Sequence, residues 1–454
     1  MRVAVVVCAL ALTACPVRPA TKIEPIKVGV MDTISGALAS QGPSQQDAAR
    51  LAAEDVNAGG GLFDGRPLEL VFTDSGTDPD IAVKAAKDLV AQGVVALIGP
   101  ATSGESARVL AEVATPHAIP MISCCATAAE LTSGNAPNAG FFFRTTPSDR
   151  LQGKALAFIA KNGIDGLAVP CGKAAFMFRN DAYGSGFDGV FSDEYEGGAQ
   201  PGIIVAKGHY GSPDQEANGN ELDAAATQLV SDIDSSGALL PGANAEMCIV
   251  VISFDVDGAP EIRKLDEQLQ TLIQNRQATN AAFRLPFHFL VSDGANSGAF
   301  ATGVGALGSK IVGTVPFHAT SPAYDEFVKA YQARFQQTDE PIPFTSQSYD
   351  AVFVMSLAIA DARSTVGTEI RNKLYPVSGA NSGQRFEGAF FGEVANALLN
   401  GDSVDYVGPS GEMTFDAFGD VVGDYVLWQV DVDGTGAFAI VNRQPLLAST
   451  FNPQ

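Results

Sequence analysis

Ile26-Lys27-Val28-Gly29-Val30-Met31 is a short apolar run rich in β-branched residues, the pattern of a buried strand, and the segments after it repeat its setting. A turn containing Gly36 leads to an amphipathic helical pattern from Pro43 to Asn57. Gly59-Gly60-Gly61 closes it, because glycine adopts the backbone angles that end helices. Leu68 to Phe72 alternates like a strand, Asp80 to Gln92 reads as a helix, Val94 to Ile98 as a strand, Gly104 to Ala114 as a helix and Pro120 to Ser123 as a strand. Strands alternating with helices predict an α/β protein with a parallel sheet and helices on both faces.

The pattern restarts after Phe143-Arg144-Thr145-Thr146-Pro147. Helical patterns at 149–161, 186–195, 221–233 and 260–276 alternate with strand patterns at 174–178, 202–207, 247–254 and 287–291; the Gly- and Ser-rich piece 208–219 reads as a loop. A third section, 322–400, is mostly helical, at 323–336, 348–361 and 386–399. Two strands, 421–430 and 437–441, close the chain around Asp433-Gly434, a hairpin turn signal.

The chain has 454 residues, enough for two or three domains with ample core. Hydrophobic residues make up 46%, which excludes a largely disordered chain. Its 28 Lys+Arg against 51 Asp+Glu leave a net charge of −23. That argues against nucleic acid, whose phosphates need clustered cations, and against a polybasic membrane contact.

Met1-Arg2 followed by the apolar run Val3 to Leu12 suits an export signal, being far shorter than the roughly 20 residues that span a bilayer. Leu12-Thr13-Ala14-Cys15 resembles a bacterial lipobox. That resemblance implies a signal peptide at 1–14, a lipidated Cys15 and a tether at 15–25, which would place an otherwise soluble body in the periplasm or cell envelope. Cys8 lies in the signal. No CxxC spacing occurs among Cys124, Cys125, Cys171 and Cys248, so a zinc ribbon is not expected. Cys171 and Cys248 each adjoin a strand-like segment, and an oxidising compartment permits either a disulfide between them or two separate buried thiols.

Catalytic motifs are absent. His117, His209, His288 and His318 fall in no metal-ligand spacing; there is no GxSxG, and Gly172-Lys173 lacks the rest of a phosphate loop. Gly303-Val304-Gly305-Ala306-Leu307-Gly308 matches GxGxxG but does not follow the first strand of a βαβ unit, so it reads as a flexible loop. Asp255-Val256-Asp257-Gly258 and Asp431-Val432-Asp433-Gly434 lack the remaining carboxylates of a calcium loop and read as tight turns. No metal or cofactor is expected. Binding is better supported, because ligands of open α/β sheets sit beyond the carboxyl ends of the strands. Polar loops stand there at Gly99–Gly104, at Ser123-Cys124-Cys125-Ala126-Thr127 and at Ser292-Asp293-Gly294. Hydroxyls and free N–H groups at helix starts suit an anion, and a carboxylate suits a cation, so together they suit a zwitterion.

Taken in order, several segments make the chain resemble the leucine/isoleucine/valine-type periplasmic solute-binding proteins of ABC importers. They are Ile26–Val30 with Ser35-Gly36, Ala53-Glu54-Asp55-Val56-Asn57-Ala58-Gly59-Gly60, Asp78-Pro79, Leu97-Ile98-Gly99-Pro100, Phe143–Pro147, Asn180-Asp181-Ala182-Tyr183-Gly184 and Gly411-Glu412-Met413-Thr414-Phe415-Asp416. The resemblance covers nearly the whole mature chain. It implies a two-lobed type I fold, each lobe a mostly parallel sheet flanked by helices. The N-terminal lobe would comprise 26–144 plus 318–414 and the C-terminal lobe 147–315 plus 420–445. Three crossovers would join them, near Arg144–Pro147, Val315–Ser321 and Thr414–Asp420.

By the same resemblance, Ser103 and Thr127 would hold a ligand carboxylate, with backbone at Cys125. Asp293 would take the ammonium, and Tyr183 with Phe254 would form the second lobe's wall. Gln41 stands where the family carries an aromatic at the pocket mouth, Asp293 where Glu is commoner, and Thr77 and Thr102 where the family has a disulfide. The extra sequence at about 210–246 leaves these pocket assignments unchanged. The expected protein is a non-enzymatic, monomeric receptor that captures a branched-chain or other small amino acid and delivers it to an inner-membrane ABC permease. A ligand sensor for a signalling receptor, a binder of a small amide or carboxylate, and a cell-envelope enzyme with an unrecognised site are the alternatives.

Overall fold

The computed structural model describes residues 23–133, 140–211, 219–237, 246–317, 321–338, 340–379, 383–388 and 390–452. The export signal, Cys15, most of the tether and His318 lie outside the described residues, as does much of the 208–219 loop.

The first sheet holds β1 (Ile26–Asp32), β2 (Leu68–Asp74), β3 (Leu97–Ile98), β4 (Met121–Ser123) and β5 (Phe142–Arg144), all parallel, in the order β2-β1-β3-β4-β5. Helix Gly42–Ala58 and the almost wholly buried helix Thr345–Ala362 cover one face. Helices Pro79–Ala91 and Ser103–Val109 cover the other. The second sheet begins with β6 (Lys173–Arg179), β7 (Ile203–Tyr210), β8 (Met247–Ile252), β9 (Phe287–Val291) and β10 (Ile311–Phe317), parallel in the order β7-β6-β8-β9-β10. That is the first sheet's strand order repeated. A small sheet of β11 (Gln384–Glu387), β12 (Val404–Gly408) and β13 (Gly411–Glu412) flanks the first lobe. The antiparallel hairpin β14 (Asp424–Val432) and β15 (Phe438–Leu446) extends the second sheet beyond β10. Gly313 in β10 allows this join: a Cβ there would lie 2.0 Å from the indole of the fully buried Trp428 in β14.

In both sheets the winding reverses between the first and third strands, at β1/β3 and at β6/β8, and a crevice opens at such a point beyond the strands' carboxyl ends. The chain leaves the first sheet after β5, returns after β10 and leaves again between β13 and β14. Arg144, at the first of these passages, is fully buried. Its guanidinium donates to Asp420 Oδ1 (2.6 Å), to the Ala126 and Ala128 carbonyls (3.2 and 2.9 Å) and to Thr132 Oγ1 (2.6 Å). One side chain thus ties two passages between the lobes to the loop that follows β4.

The structure corrects several local readings. Asp255-Val256-Asp257-Gly258 is no tight turn but the first turn of helix Asp255–Thr279, which starts ahead of Pro260. The Asp257 carboxylate accepts the Phe254 N–H (2.9 Å) and so caps the helix end from inside its first turn. Gly303–Gly308 is the end of helix Gly298–Val304 running into a 3₁₀ segment, not a flexible loop. Phe386 lies in β11, so only Phe391–Leu399 of the expected 386–399 is helical. Helix Gly367–Val377 was not anticipated, although Ile370, Leu374 and Val377, all buried, have helical spacing.

Candidate functional site

The residues nominated from the sequence come together. Gln41 follows β1, Ser103 follows β3, and Cys125 and Thr127 follow β4; Tyr183 follows β6, Phe254 follows β8 and Asp293 follows β9. All seven line one cavity between the lobes, with a volume of ≈ 30 Å³. The two lobes also touch beside this cavity. Ser40 Oγ donates to Asp255 Oδ2 across the lobes (2.9 Å), and Leu38 packs among second-lobe apolar residues.

The second lobe's wall is built around a carboxylate. Tyr183 donates its hydroxyl to Asp293 Oδ1 (2.6 Å); Ser292 Oγ lies 2.8 Å and the Gly294 N–H 3.3 Å from the same phenol oxygen. Burial pushes the Tyr183 hydroxyl well above its ordinary pKa, with the Asp293 and Asp149 charges adding to it, so it stays a donor. Tyr183 stacks on Phe254 (centroids 5.6 Å apart, 15°), and the Arg179 guanidinium lies 4.3 Å from the Phe254 ring on a brace to Asp181 and Asp257. Asp293 Oδ2 is buried with no hydrogen-bond partner. Burial raises the Asp293 carboxyl to about 6, against the pull of the Tyr183 and Gly294 bonds.

The first lobe's wall is neutral. Ser103 Oγ accepts the Ala128 N–H (3.1 Å), which leaves its own hydrogen to donate. The Cys125 N–H, expected to face the ligand, donates instead to Ser123 Oγ (3.2 Å). Thr102 is the helix cap, accepting the Glu105 N–H (3.3 Å), and it lines the cavity together with the neighbouring Ser103. Gly99 enters this loop at φ +82, and a Cβ there would meet the Met31 carbonyl at 2.3 Å.

Cys124 and Cys125 form a disulfide between adjacent residues in this loop. Cys171 and Cys248 form a second one, with Cα atoms 5.7 Å apart. Cys171, Cys248 and His288 gather their donor atoms within 4.8 Å, the one such group among the described residues; its sulfurs are bonded to each other and so are not thiolate ligands.

Asp149, which the sequence does not single out, stands beside Asp293 behind the cavity lining. It is fully buried at the start of helix Asp149–Asn162, and its backbone N–H donates to the Thr127 carbonyl (2.8 Å). Burial and the Asp293 charge hold its carboxyl well above the usual range. In the sequence Ser148-Asp149 reads only as a helix start. Phe344 and Leu38 were also missed, and both line the cavity. Phe344 follows Pro341-Ile342-Pro343 with no strand before it, so the rule that locates ligand loops beyond strand ends does not reach it.

Residues 25–233 match the periplasmic binding protein family model and residues 266–433 the receptor family ligand binding region model. Both descriptions name binding rather than catalysis, in agreement with the non-enzymatic reading. A Leu/Ile/Val-binding protein homolog of Brucella melitensis is 28% identical over 47% of this chain and 52% of its own length. The matched region spans between 39% and 52% of the length of this and two other curated relatives. Among solved structures, the branched-chain amino acid transporter substrate binding protein LivJ of Streptococcus pneumoniae, in complex with isoleucine, is 24% identical. It aligns over 92% of this chain and 100% of its own, with a TM-score of 0.63. The leucine binding protein LivK of Thermotoga maritima is 19% identical over 93% and 99%, with a TM-score of 0.67. The chain therefore has the two-lobed type I periplasmic-binding-protein fold and is similar in sequence to Leu/Ile/Val-binding proteins.

Proposed function

We propose that this chain, built on the type I periplasmic-binding-protein fold, is an extracytoplasmic solute receptor that closes on a small amino acid and delivers it to an inner-membrane ABC permease. Lipidation at Cys15 would hold it at the membrane as a monomeric lipoprotein. The observation that carries the reading is the meeting, in one cavity, of Asp293 from one lobe with Ser103 and Thr127 from the other. An ammonium would complete the first by a charge-assisted bond, and a carboxylate would take donors from the other two. Closure would follow from contacts the ligand makes only with the lobes together. The Leu/Ile/Val-binding relatives support the amino-acid class. Gln41, in place of an aromatic at the cavity mouth, favours a small side chain over a leucine-sized one.

A thermal-shift screen over amino acids, small amides and carboxylates tests this. An amino acid at 100 times its Kd adds about 2.7 kcal/mol of stability. Asp293→Ala should abolish that shift, and an undiminished shift would remove Asp293 from the ammonium role. A shift by carboxylates or amides alone would favour the second reading, a binder of a small non-amino solute.

A further inference from the structure

The pairing of β8 with β9 sets Cys248 in register with His288, so both side chains leave the second sheet on the same face. Cys171, just before β6, meets them there, and all three residues are buried. They stand at the amino ends of these strands, whereas the cavity residues Phe254 and Asp293 follow the carboxyl ends of β8 and β9. His288 Nε2 lies 3.6 Å from Cys248 Sγ and 3.8 Å from Cys171 Sγ, and its Nδ1 lies 3.1 Å from Glu246 Oε1. A carboxylate at Nδ1 keeps the ring's proton on that nitrogen and leaves Nε2 a lone pair facing the sulfurs. Neither sulfur of a disulfide carries a hydrogen, so that lone pair receives no donor from them. A tetrahedral zinc ion, with Zn–S near 2.3 Å and Zn–N near 2.0–2.1 Å, holds nitrogen and sulfur about 3.6 Å apart and two sulfurs about 3.8 Å apart. The imidazole stands within about 0.2 Å of the first spacing from both sulfurs. To reach the second, the sulfurs have only to part.

We propose that Cys171, Cys248 and His288 form a zinc site in the reduced protein, and that disulfide and metal are alternative states of this one pair of cysteines. The chain is synthesised with both cysteines as thiols. Exchange with an oxidising disulfide closes the pair, and the two electrons and two protons pass to that partner's sulfurs. Zn²⁺ instead displaces the two thiol protons to water, binds both thiolates and the neutral imidazole, and keeps a fourth position for a water. Two thiolates and an imidazole select zinc over Ca²⁺ or Mg²⁺, which take oxygen ligands. Glu246 touches His288 rather than the metal, so it is a positioning residue that fixes the tautomer and the ring's direction.

The test reduces the full chain with a phosphine, which becomes the phosphine oxide with oxygen from water and leaves two thiols. The protein is desalted without oxygen and titrated with Zn²⁺ against a chromophoric chelator, beside the oxidised chain. The other cysteines are present in every sample, so the assignment is read from differences between variants. The reduced chain should take up zinc that the oxidised chain does not. Cys171→Ser and His288→Ala should each weaken that uptake by about tenfold or more, and Glu246→Ala by about 10- to 100-fold. With Co²⁺ the reduced chain should develop a thiolate-to-metal charge-transfer band. At saturation Glu246→Ala should keep that band, as a positioning residue would, while Cys171→Ser diminishes it. His288→Ala retains both cysteines, so its fold is checked by circular dichroism in the disulfide form, and it decides alone if Cys171→Ser does not fold. Zinc bound by a site made of the other cysteines would be indifferent to His288→Ala, and that result overturns the proposal. Equal uptake by oxidised and reduced chains overturns it as well, as does a reduced chain, folded or not, that takes up no zinc.

Discussion

The two lobes share one winding, β2-β1-β3-β4-β5 and β7-β6-β8-β9-β10, yet they bring opposite chemistry to equivalent loops. After the first strand of each stand Leu38 and Gln41 in one lobe and Tyr183 in the other. After the third come Ser103 and Phe254, and after the fourth, Thr127 and Asp293. The first lobe offers small neutral donors close to backbone, and the second a charged acceptor walled by stacked aromatics. Identical topology fixes where the cavity-lining residues stand, beyond the strands' carboxyl ends, and leaves their chemistry free. A zwitterion read by two such halves needs both lobes at once, so recognition and closure become one event.

The joint between the halves gives the largest expected effect. Arg144→Met removes the buried guanidinium from Asp420, two carbonyls and Thr132. Breaking a buried ion pair from one side costs about 3–5 kcal/mol. Denaturant unfolding should show a loss of that order, and a loss below about 1 kcal/mol would mean that water or rearrangement replaces the bonds. Asp420→Asn, which keeps an acceptor for the guanidinium, should cost less.

Buried acids in both lobes, set against the one carboxyl at the cavity, should give two opposed pH dependences. Asp293 is raised to about 6 and Asp149 is raised beside it, and burial lifts Asp32, Glu105 and Asp350 to about 7 and Glu261 to about 8. An acid whose pKa is higher folded than unfolded contributes stability that is full below about 4 and is lost as pH rises through the folded value. The unliganded protein should therefore melt at higher temperature at pH 5 than at pH 8. Ligand affinity should run the other way. An ammonium needs the Asp293 carboxylate ionised, so affinity is full above about pH 7 and falls as pH drops through about 6. Titrating binding with one amino acid at several pH values separates the two trends, and an affinity flat from pH 5 to pH 8 would detach Asp293 from the charge pair.

Much of this arrangement was legible in the sequence, for a definite reason. Short apolar runs followed by polar, Gly- or Ser-containing loops mark the ends of β3, β4 and β9 to within a few residues, and in this fold cavity loops follow strand ends. Gln41, Ser103, Thr127 and Asp293 could be nominated on that ground together with the family pattern. Phe344 could not, because it stands before a helix with no strand to announce it. Asp149 could not either, since a carboxylate in the first turn of a helix has an ordinary electrostatic reason to be there. What the sequence hid was the side chains' neighbours: the Cys125 N–H turned to Ser123 and the Cys124–Cys125 bond appear only once the loop is folded.

The smallest expected effect tests closure alone. Ser40 on the first lobe donates to Asp255 on the second, and neither residue lines the ligand cavity. Asp255 is buried and its other oxygen has no partner, so in the closed state the Ser40 hydroxyl supplies a bond that opening would hand to water. Ser40→Ala should weaken closure by about 0.5–1 kcal/mol, which lowers affinity about two- to fivefold for every ligand by the same factor. Uniformity is the diagnostic. Ser103→Ala removes a donor aimed at one group of the ligand and should weaken amino acids about tenfold while leaving ligands without a carboxylate less affected. If Ser40→Ala discriminated among ligands as Ser103→Ala does, Ser40 would belong to the recognition surface rather than to the latch, and the division of labour between the lobes would have to be redrawn around it.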